Sequence, residues 1–261
     1  MALTSLVNEN LRRLWSKLDE TTLALAETCL VSMQGTEESS AHSLCSLQVT
    51  ALQLYRIWQC QQNEEQPQEP PIENDVDLLP VQPLRDQAIY SELEPNPRVF
   101  HHLFITSPDK EDWESPMDVL PALCAIAMYN IGLVMHIQSG ATTMMEQKEQ
   151  KKPNYTLLKE AEEYYLECLH LLNSVPLHMP SDGTLIMVYL ATSNNLAEIY
   201  YASQDLVRAK AYQQTLGEIF WSVPAAPQSP CYRHFYRVTN AYGMPFPLSG
   251  NEKIHGARVF A

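Results

Sequence analysis

Two Cys–His pairs come nearest, among the residues of this chain, to the spacing of a metal site. Cys231 and His234 are three residues apart, and Cys168 and His170 are two apart. A zinc site needs about four ligands at coordinating distance, and neither pair has a second pair at zinc-finger spacing. We therefore interpret them as packed cysteines and surface histidines and expect no metal.

Four glutamates within one short stretch are the residues that a hydrolase could use in pairs: Glu160, Glu162, Glu163 and Glu167. They fall on the outward arc of a predicted helix whose opposite side is apolar, so a solvated face is the better interpretation. A cysteine nucleophile would need a low-pKa thiolate beside a base, a neighbourhood that the sequence does not define. No catalytic or cofactor-binding residue is predicted.

Arg233 and Arg237 are four residues apart, so both guanidinium groups can point to one side of a helix. Residues 221–261 contain four Lys or Arg and one acid, which makes this end the basic part of an acidic chain. Such a pair can hold a carboxylate through charge-assisted hydrogen bonds. One hypothesis is an anion anchor for an acidic partner segment, and the alternative is pairing with the chain's own acids.

Composition argues against several classes of function. The formal net charge is −14, and phosphate backbones are bound mainly through Lys and Arg, so nucleic acid is not an expected partner. The chain contains neither G-x-G-x-x-G nor G-x-x-x-x-G-K-[ST], and we expect no nucleotide cofactor.

Six cysteines are spread singly without a C-x-x-C pair, as in proteins of a reducing compartment. We find no secretory signal pattern and no window near 18 uninterrupted apolar residues, so no membrane span is predicted. The expected location is the cytoplasm, with the nucleus or an organelle as alternatives.

Residues 1–61 are predicted to form an N-terminal helical hairpin. Apolar residues recur at helical spacing over 4–33, as one helix or as two broken near 19–22, and again over 41–61. Residues 62–77 are rich in Gln, Glu and Pro and are predicted to be an acidic linker.

Residues 78–117 contain apolar groups without a helical period and are predicted to be extended. Within them, 87–94 and 98–106 could pair as a short β-hairpin across Pro95-Asn96-Pro97. His101 and His102 lie in this part, where adjacent side chains point to opposite faces, so a shared metal is not expected.

A helical domain is predicted over 118–242, with helices at 118–139, 155–173, 182–203, 205–220 and 230–242. Asp118 and Asp205 are the predicted N-caps. Residues 140–154 are predicted to be a polar, mobile insert, and 243–261 an irregular tail. Together with the N-terminal hairpin, these helices indicate an all-α protein with a short β-hairpin in 87–106.

The stretch from Asn194 to Tyr212 resembles one tetratricopeptide repeat (TPR). Ala197 and Ala209 are small residues twelve apart, as needed where two antiparallel helices cross. Gly132 and Ala161, with Tyr165, resemble a second and looser repeat interrupted by the insert. The resemblance covers about 118–220 and implies helical hairpins that bury one face and offer the other as a groove.

The resemblance also implies a partner-binding groove on the first helix of each repeat. It maps to Tyr129, Leu133, His136, Asn194, Glu198 and Tyr201. The alternative is that the N-terminal helices cover this surface. Asn195 stands at an asparagine position of TPR domains that hold a peptide carboxylate, but neither first helix contains a Lys or Arg, so a complete carboxylate clamp is absent.

The expected function is therefore a non-catalytic protein-protein interaction or assembly scaffold that binds a protein or peptide. A fixed structural subunit of a larger complex is one alternative. An enzyme with an unrecognised site near the 140–154 insert is another.

Overall fold

The computed structural model describes residues 2–32, 37–64, 81–83, 98–106, 120–145, 154–174, 184–222 and 230–241. These residues form seven helices and two short strands. In chain order they are α1 (Ala2–Ser32), α2 (Glu37–Glu64), β1 (Val81–Pro83), β2 (Phe104–Thr106), α3 (Leu120–Met145), α4 (Tyr155–Ser174), α5 (Thr184–Ala202), α6 (Leu206–Ser222) and α7 (Pro230–Ala241).

The helices pack as consecutive pairs, which confirms the all-α fold. The pairs are α1 with α2, α3 with α4, and α5 with α6. Contacts of α2 with α3, and of α4 with α5, join neighbouring pairs, while α1, α3 and α5 also touch in succession. Helix α7 packs on α6. The first helices of the three pairs therefore lie next to one another.

The first pair forms because each of its helices buries one apolar stripe. Leu11 and Trp15 belong to the stripe of α1, and Leu47 and Leu54 to that of α2. Of the two alternatives for 4–33, the structure has one unbroken helix through 19–22. Thr21 is accommodated because its Oγ1 donates to the carbonyl of Lys17, 2.8 Å away.

Helices α3 and α4 cross at Gly132, where the sequence places its small residue. A Cβ atom added at Gly132 would lie 3.0 Å from the Tyr165 ring and 3.3 Å from the carbonyl oxygen of Ala161. Ala161 and Tyr165 are fully buried. Glycine is therefore the residue that lets the two backbones approach this closely.

The turn between α5 and α6 has the geometry expected of a helix end followed by an N-cap. Gln204 has a φ of 63°, and the Asp205 N–H donates to the Tyr200 carbonyl over 2.9 Å, as in a Schellman motif. Asp205 Oδ1 accepts from the Arg208 N–H at 3.1 Å, which confirms Asp205 as the predicted N-cap.

Two predicted boundaries are wrong. Helix α2 continues to Glu64, so the linker cannot begin at residue 62, and α3 continues to Met145, so residues 140–145 of the predicted insert are helical. The reason for the second error is that a helix can continue through polar residues when its earlier turns are anchored in a core. Linker residues 65–77, insert residues 146–153, Asp118 and the 243–261 tail lie outside the described residues.

The two strands form an antiparallel pair with a partner that the sequence did not indicate. Val81 is opposite Thr106, and Pro83 is opposite Phe104. The predicted partner, 87–94, lies outside the described residues. A three-residue strand has too little periodicity for its pairing to be read from sequence.

Helix α3 is long and apolar enough, by length and composition, to cross a membrane. Of its most apolar window, within Leu120–Ser139, 83% is buried inside the fold. A core helix that is covered on all sides has the same composition.

Candidate functional site

Residues 98–106, called the inner segment below, lie against the sides of α3 and α5 that the sequence predicted as a groove. The segment has a turn at its start and ends in strand β2, which also contacts α1. All residues of α3 from Ala122 to Met135 and all of α5 from Leu190 to Tyr200 are buried. These helices are therefore covered on both sides.

Asn195 binds the main chain of the inner segment through its side-chain amide. Its Oδ1 accepts the Phe100 N–H at 2.7 Å, and its Nδ2 donates to the Phe100 carbonyl at 3.0 Å. Nδ2 also donates to the Tyr165 hydroxyl at 3.0 Å, which orients the amide. The side chain thus pairs with Phe100 much as a neighbouring strand would.

Asn130 makes the same pair of bonds on α3. Its Oδ1 accepts the Phe104 N–H at 2.9 Å, and its Nδ2 donates to the Phe104 carbonyl at 2.8 Å. Nδ2 also lies 3.5 Å from Thr22 Oγ1 of α1. Both asparagines are fully buried, so these bonds satisfy groups that water does not reach.

Two further side chains hold the beginning of the segment. Asn194 Nδ2 donates to the Arg98 carbonyl at 2.6 Å, and the Tyr129 hydroxyl donates to the Phe100 carbonyl at 3.2 Å. The Arg98 guanidinium lies over the Tyr201 ring, 5.3 Å from its centre. The segment therefore runs from α5 back toward α1 and is held at several points along its main chain.

Aromatic rings anchor the same segment. Phe100 and Phe104 are fully buried, and their ring centres are 5.9 Å apart. Phe100 stacks on Phe235 of α7 at 5.0 Å, and the ring of Phe104 lies 5.1 Å from that of Tyr129. Burial of two phenylalanines accounts for much of the affinity of the segment for this face, since each ring removes a large apolar area from water.

Four of the eight histidines gather around the inner segment: His101 and His102 within it, His136 on α3 and His234 on α7. Burial, together with the charge of nearby His101, lowers the pKa of His136 to about 3. Burial also lowers the pKa of His234 to about 3, together with His101, His102 and Arg237. Both imidazoles are therefore neutral at pH 7.

The predicted groove residues occupy this face, but most of them are not open to solvent. Tyr129, Leu133, Asn194 and Glu198 are buried, His136 is half-buried, and Tyr201 is 49% exposed. The alternative named the N-terminal helices as the cover, and in the structure the inner segment covers most of the face. The predicted groove is therefore filled and not open. The prediction considered only helices as possible covers and did not consider the inner segment.

Arg233 and Arg237 are both exposed on α7. Within the part of the chain that the structure describes, neither arginine forms an ion pair with Asp or Glu. The alternative that Arg233 and Arg237 pair with the chain's own acids is thus not found among the described residues. The anion anchor stays a prediction.

The four glutamates do not act as a solvated set. Glu162 accepts from the Tyr200 hydroxyl, and Glu167 accepts from the Tyr55 hydroxyl, both at 2.6 Å. These two carboxylates therefore link α4 to α5 and to α2, whereas Glu160 and Glu163 are exposed.

Cys124 and Cys168 are buried thiols. Burial raises the pKa of the Cys168 thiol to about 12 and also raises that of Cys124, so both are protonated at neutral pH. Among the described residues, no three His, Cys, Asp or Glu side chains come together in a way that could hold a metal ion.

Sequence reasoning missed the residues that fill the groove: Phe100, Phe104, His234 and Phe235. Two signals were available. Tyr129-Asn130 and Asn194-Asn195 place asparagines at equivalent positions of two helices, and both helices lack a polar face. A helix that is apolar all round needs a cover on each side.

The arrangement as a whole is suited to holding a peptide main chain. Amide groups supply paired donors and acceptors, and aromatic rings supply apolar contact. Comparisons of the chain with protein-family models, with curated proteins and with solved structures find no match.

Proposed function

We propose that this protein is a non-catalytic protein-protein interaction or assembly scaffold built on TPR-like helical hairpins. The observation that carries the proposal is the pair of side-chain clamps, Asn195 on Phe100 and Asn130 on Phe104. They place backbone-directed amides at equivalent points of two neighbouring hairpins, which is how a groove recognises a peptide chain.

The arrangement of the hairpins supports the same proposal. Among the described residues, consecutive helix pairs pack on their neighbours, which gives an inner face formed by the first helix of each pair. The close crossing at Gly132 and Ala161 corresponds to the small residues on which the TPR resemblance is based.

The proposed location is the cytoplasm or another reducing compartment. Cys45, Cys124 and Cys168 are free thiols in the described part of the chain. The acidic balance of the chain, −14, supports a protein partner over nucleic acid.

One observation favours a second candidate, a fixed structural subunit of a larger complex. The inner face is already filled by buried Phe100 and Phe104, so a partner could instead bind the outer surface permanently. Exposed apolar side chains of that surface include Val49 and Leu52 on α2.

Affinity capture of the full chain from its native extract, followed by gel filtration, tests the proposal. A scaffold is expected to co-elute with protein partners at sub-stoichiometric and exchangeable amounts. A constant stoichiometric complex would establish the subunit instead. A chain that elutes alone from capture under several salt concentrations would contradict both.

A further inference from the structure

The asparagine side chains that hold the inner segment bind its main-chain N–H and C=O groups and not its side chains. Asn130 and Asn195 use both ends of their amides on the N–H and C=O of Phe104 and Phe100. Every residue except proline offers the same two groups. The two asparagines can therefore bind any non-helical segment whose main chain follows the same course. A preference for particular sequences must come from the ring contacts.

The ring contacts define that preference. The clamped residues are themselves the two aromatic anchors, four positions apart, and both rings are fully buried. Phe100 contacts Phe235 and His234 of α7, whose ring centres are 5.0 and 5.2 Å away, and Phe104 contacts Tyr129. An occupant without aromatic groups at these two positions would leave a cavity.

The chain's own segment leaves polar groups of this region unused. Asn194 Oδ1 is buried, and it has no hydrogen-bond partner among the described residues. His136 Nδ1 and His234 Nε2 are in the same condition. Unsatisfied buried polar atoms cost free energy, so an occupant that offered partners for them would bind this face better than the inner segment does.

We propose that the inner segment occupies a peptide-binding groove in cis, and that the groove also takes a non-helical segment of a partner protein with two aromatic residues four positions apart. This deepens the proposed function and rests on it. A tethered occupant competes at a high effective concentration, so exchange is detectable once the tethered copy is weakened.

The test uses the full chain carrying Phe100→Ala and Phe104→Ala, and a fluorescently labelled peptide with the sequence of residues 98–106. The peptide is expected to bind this variant at least tenfold more tightly than it binds the unsubstituted chain, in which the tethered segment competes. A peptide with both phenylalanines replaced by alanine should lose at least tenfold in affinity. Adding Asn195→Ala to the protein should also lower its affinity for the peptide at least tenfold. Asn173→Ala, on the exposed end of α4, should leave the affinity unchanged.

A folded variant that does not bind the peptide would overturn the proposal, as would equal binding of the alanine peptide. If the double variant is unfolded, Phe104→Ala alone replaces it, and the peptide should then raise its melting temperature. An unfolded variant that the peptide does not refold also counts against the proposal. Elution of the unsubstituted chain as a dimer with exchanged inner segments would show that the occupant is a second copy and overturn the assignment to a partner protein.

Failure of the proposed scaffold function and failure of the proposed groove give different results. Peptide binding with no partner captured from extract would contradict the scaffold function alone. Partner capture that is insensitive to excess peptide would contradict the groove as the binding site.

Discussion

The side chain of Asn195 on α5 and the main chain of Phe100 exchange two hydrogen bonds, of 2.7 and 3.0 Å, across 95 positions of sequence. The bonds are buried on both sides. Asn130 on α3 makes the same two hydrogen bonds with the main chain of Phe104. The inner face of the helical pairs is thus completed by a segment that comes from outside them.

Removing the Asn195 clamp should destabilise the fold. Asn195→Ala leaves the buried Phe100 N–H unsatisfied, while the Phe100 carbonyl keeps its bond from the Tyr129 hydroxyl. An unsatisfied buried group costs about 1–3 kcal/mol, and loss of the second hydrogen bond costs about 1 kcal/mol more. The free energy of unfolding, measured with urea, should therefore fall by about 3 kcal/mol. Asn173→Ala on the exposed end of α4 is the control and should leave it within about 0.5 kcal/mol of the parent. Equal values for the two variants would show that the clamp contributes nothing.

Gly132→Ala should destabilise the crossing of α3 and α4. The new methyl group would lie 3.0 Å from the Tyr165 ring and 3.3 Å from a backbone oxygen, so overpacking should cost about 1–3 kcal/mol. A double-mutant cycle with Tyr165→Leu provides the check, because the smaller side chain relieves part of the contact. If the cost of Gly132→Ala is the same with and without Tyr165, the contact is not its cause.

The crossing at Gly132 could be predicted from the sequence, whereas the contact of Asn195 with Phe100 could not. The spacing of Gly132, Ala161 and Tyr165 predicted a helix crossing, since small residues at helical positions have a local signature. The N-cap at Asp205 was predictable for the same reason. The place of Phe100 was not, because a contact across 95 residues has no periodicity from which to read it. The apolar character of α3 on both sides indicated only that some cover was needed.

Gln204→Gly should stabilise the protein. Gln204 has a φ of 63°, a left-handed conformation that costs a side-chain-bearing residue roughly 1 kcal/mol and glycine much less. The melting temperature should rise by a few degrees. Gln204→Ala is the matched control, because alanine keeps the strain and should melt close to the parent. A glycine variant that melts below the alanine variant would contradict the turn geometry.

Stability should fall as the pH is lowered from 7 to 5. Burial and the charge of His101 lower the pKa of His136 from 6.5 to about 3. Burial and the charges of His101, His102 and Arg237 lower the pKa of His234 from 6.5 to about 3. In this pH range the unfolded chain binds protons that the folded chain cannot, so each of the two histidines removes about 2 kcal/mol by pH 5.

The double variant His136→Gln with His234→Gln isolates this effect. Its free energy of unfolding should vary less between pH 7 and pH 5 than that of the parent. Asn173→Ala, at an exposed position of α4, removes no titratable group and should retain the parental slope. Identical slopes for all three proteins would mean that the two histidines are not the groups that titrate.

Amide hydrogen exchange at Phe100 and Phe104 tests most directly whether the inner segment is held in the groove. Both N–H groups donate to buried asparagine oxygens, so they should exchange far more slowly than those of an unstructured peptide, and only when the inner segment leaves the groove. Asn195→Ala should accelerate exchange at Phe100. Exchange of both amides at the rate of an unstructured peptide, while the α5 amides stay protected, would contradict the occupied groove.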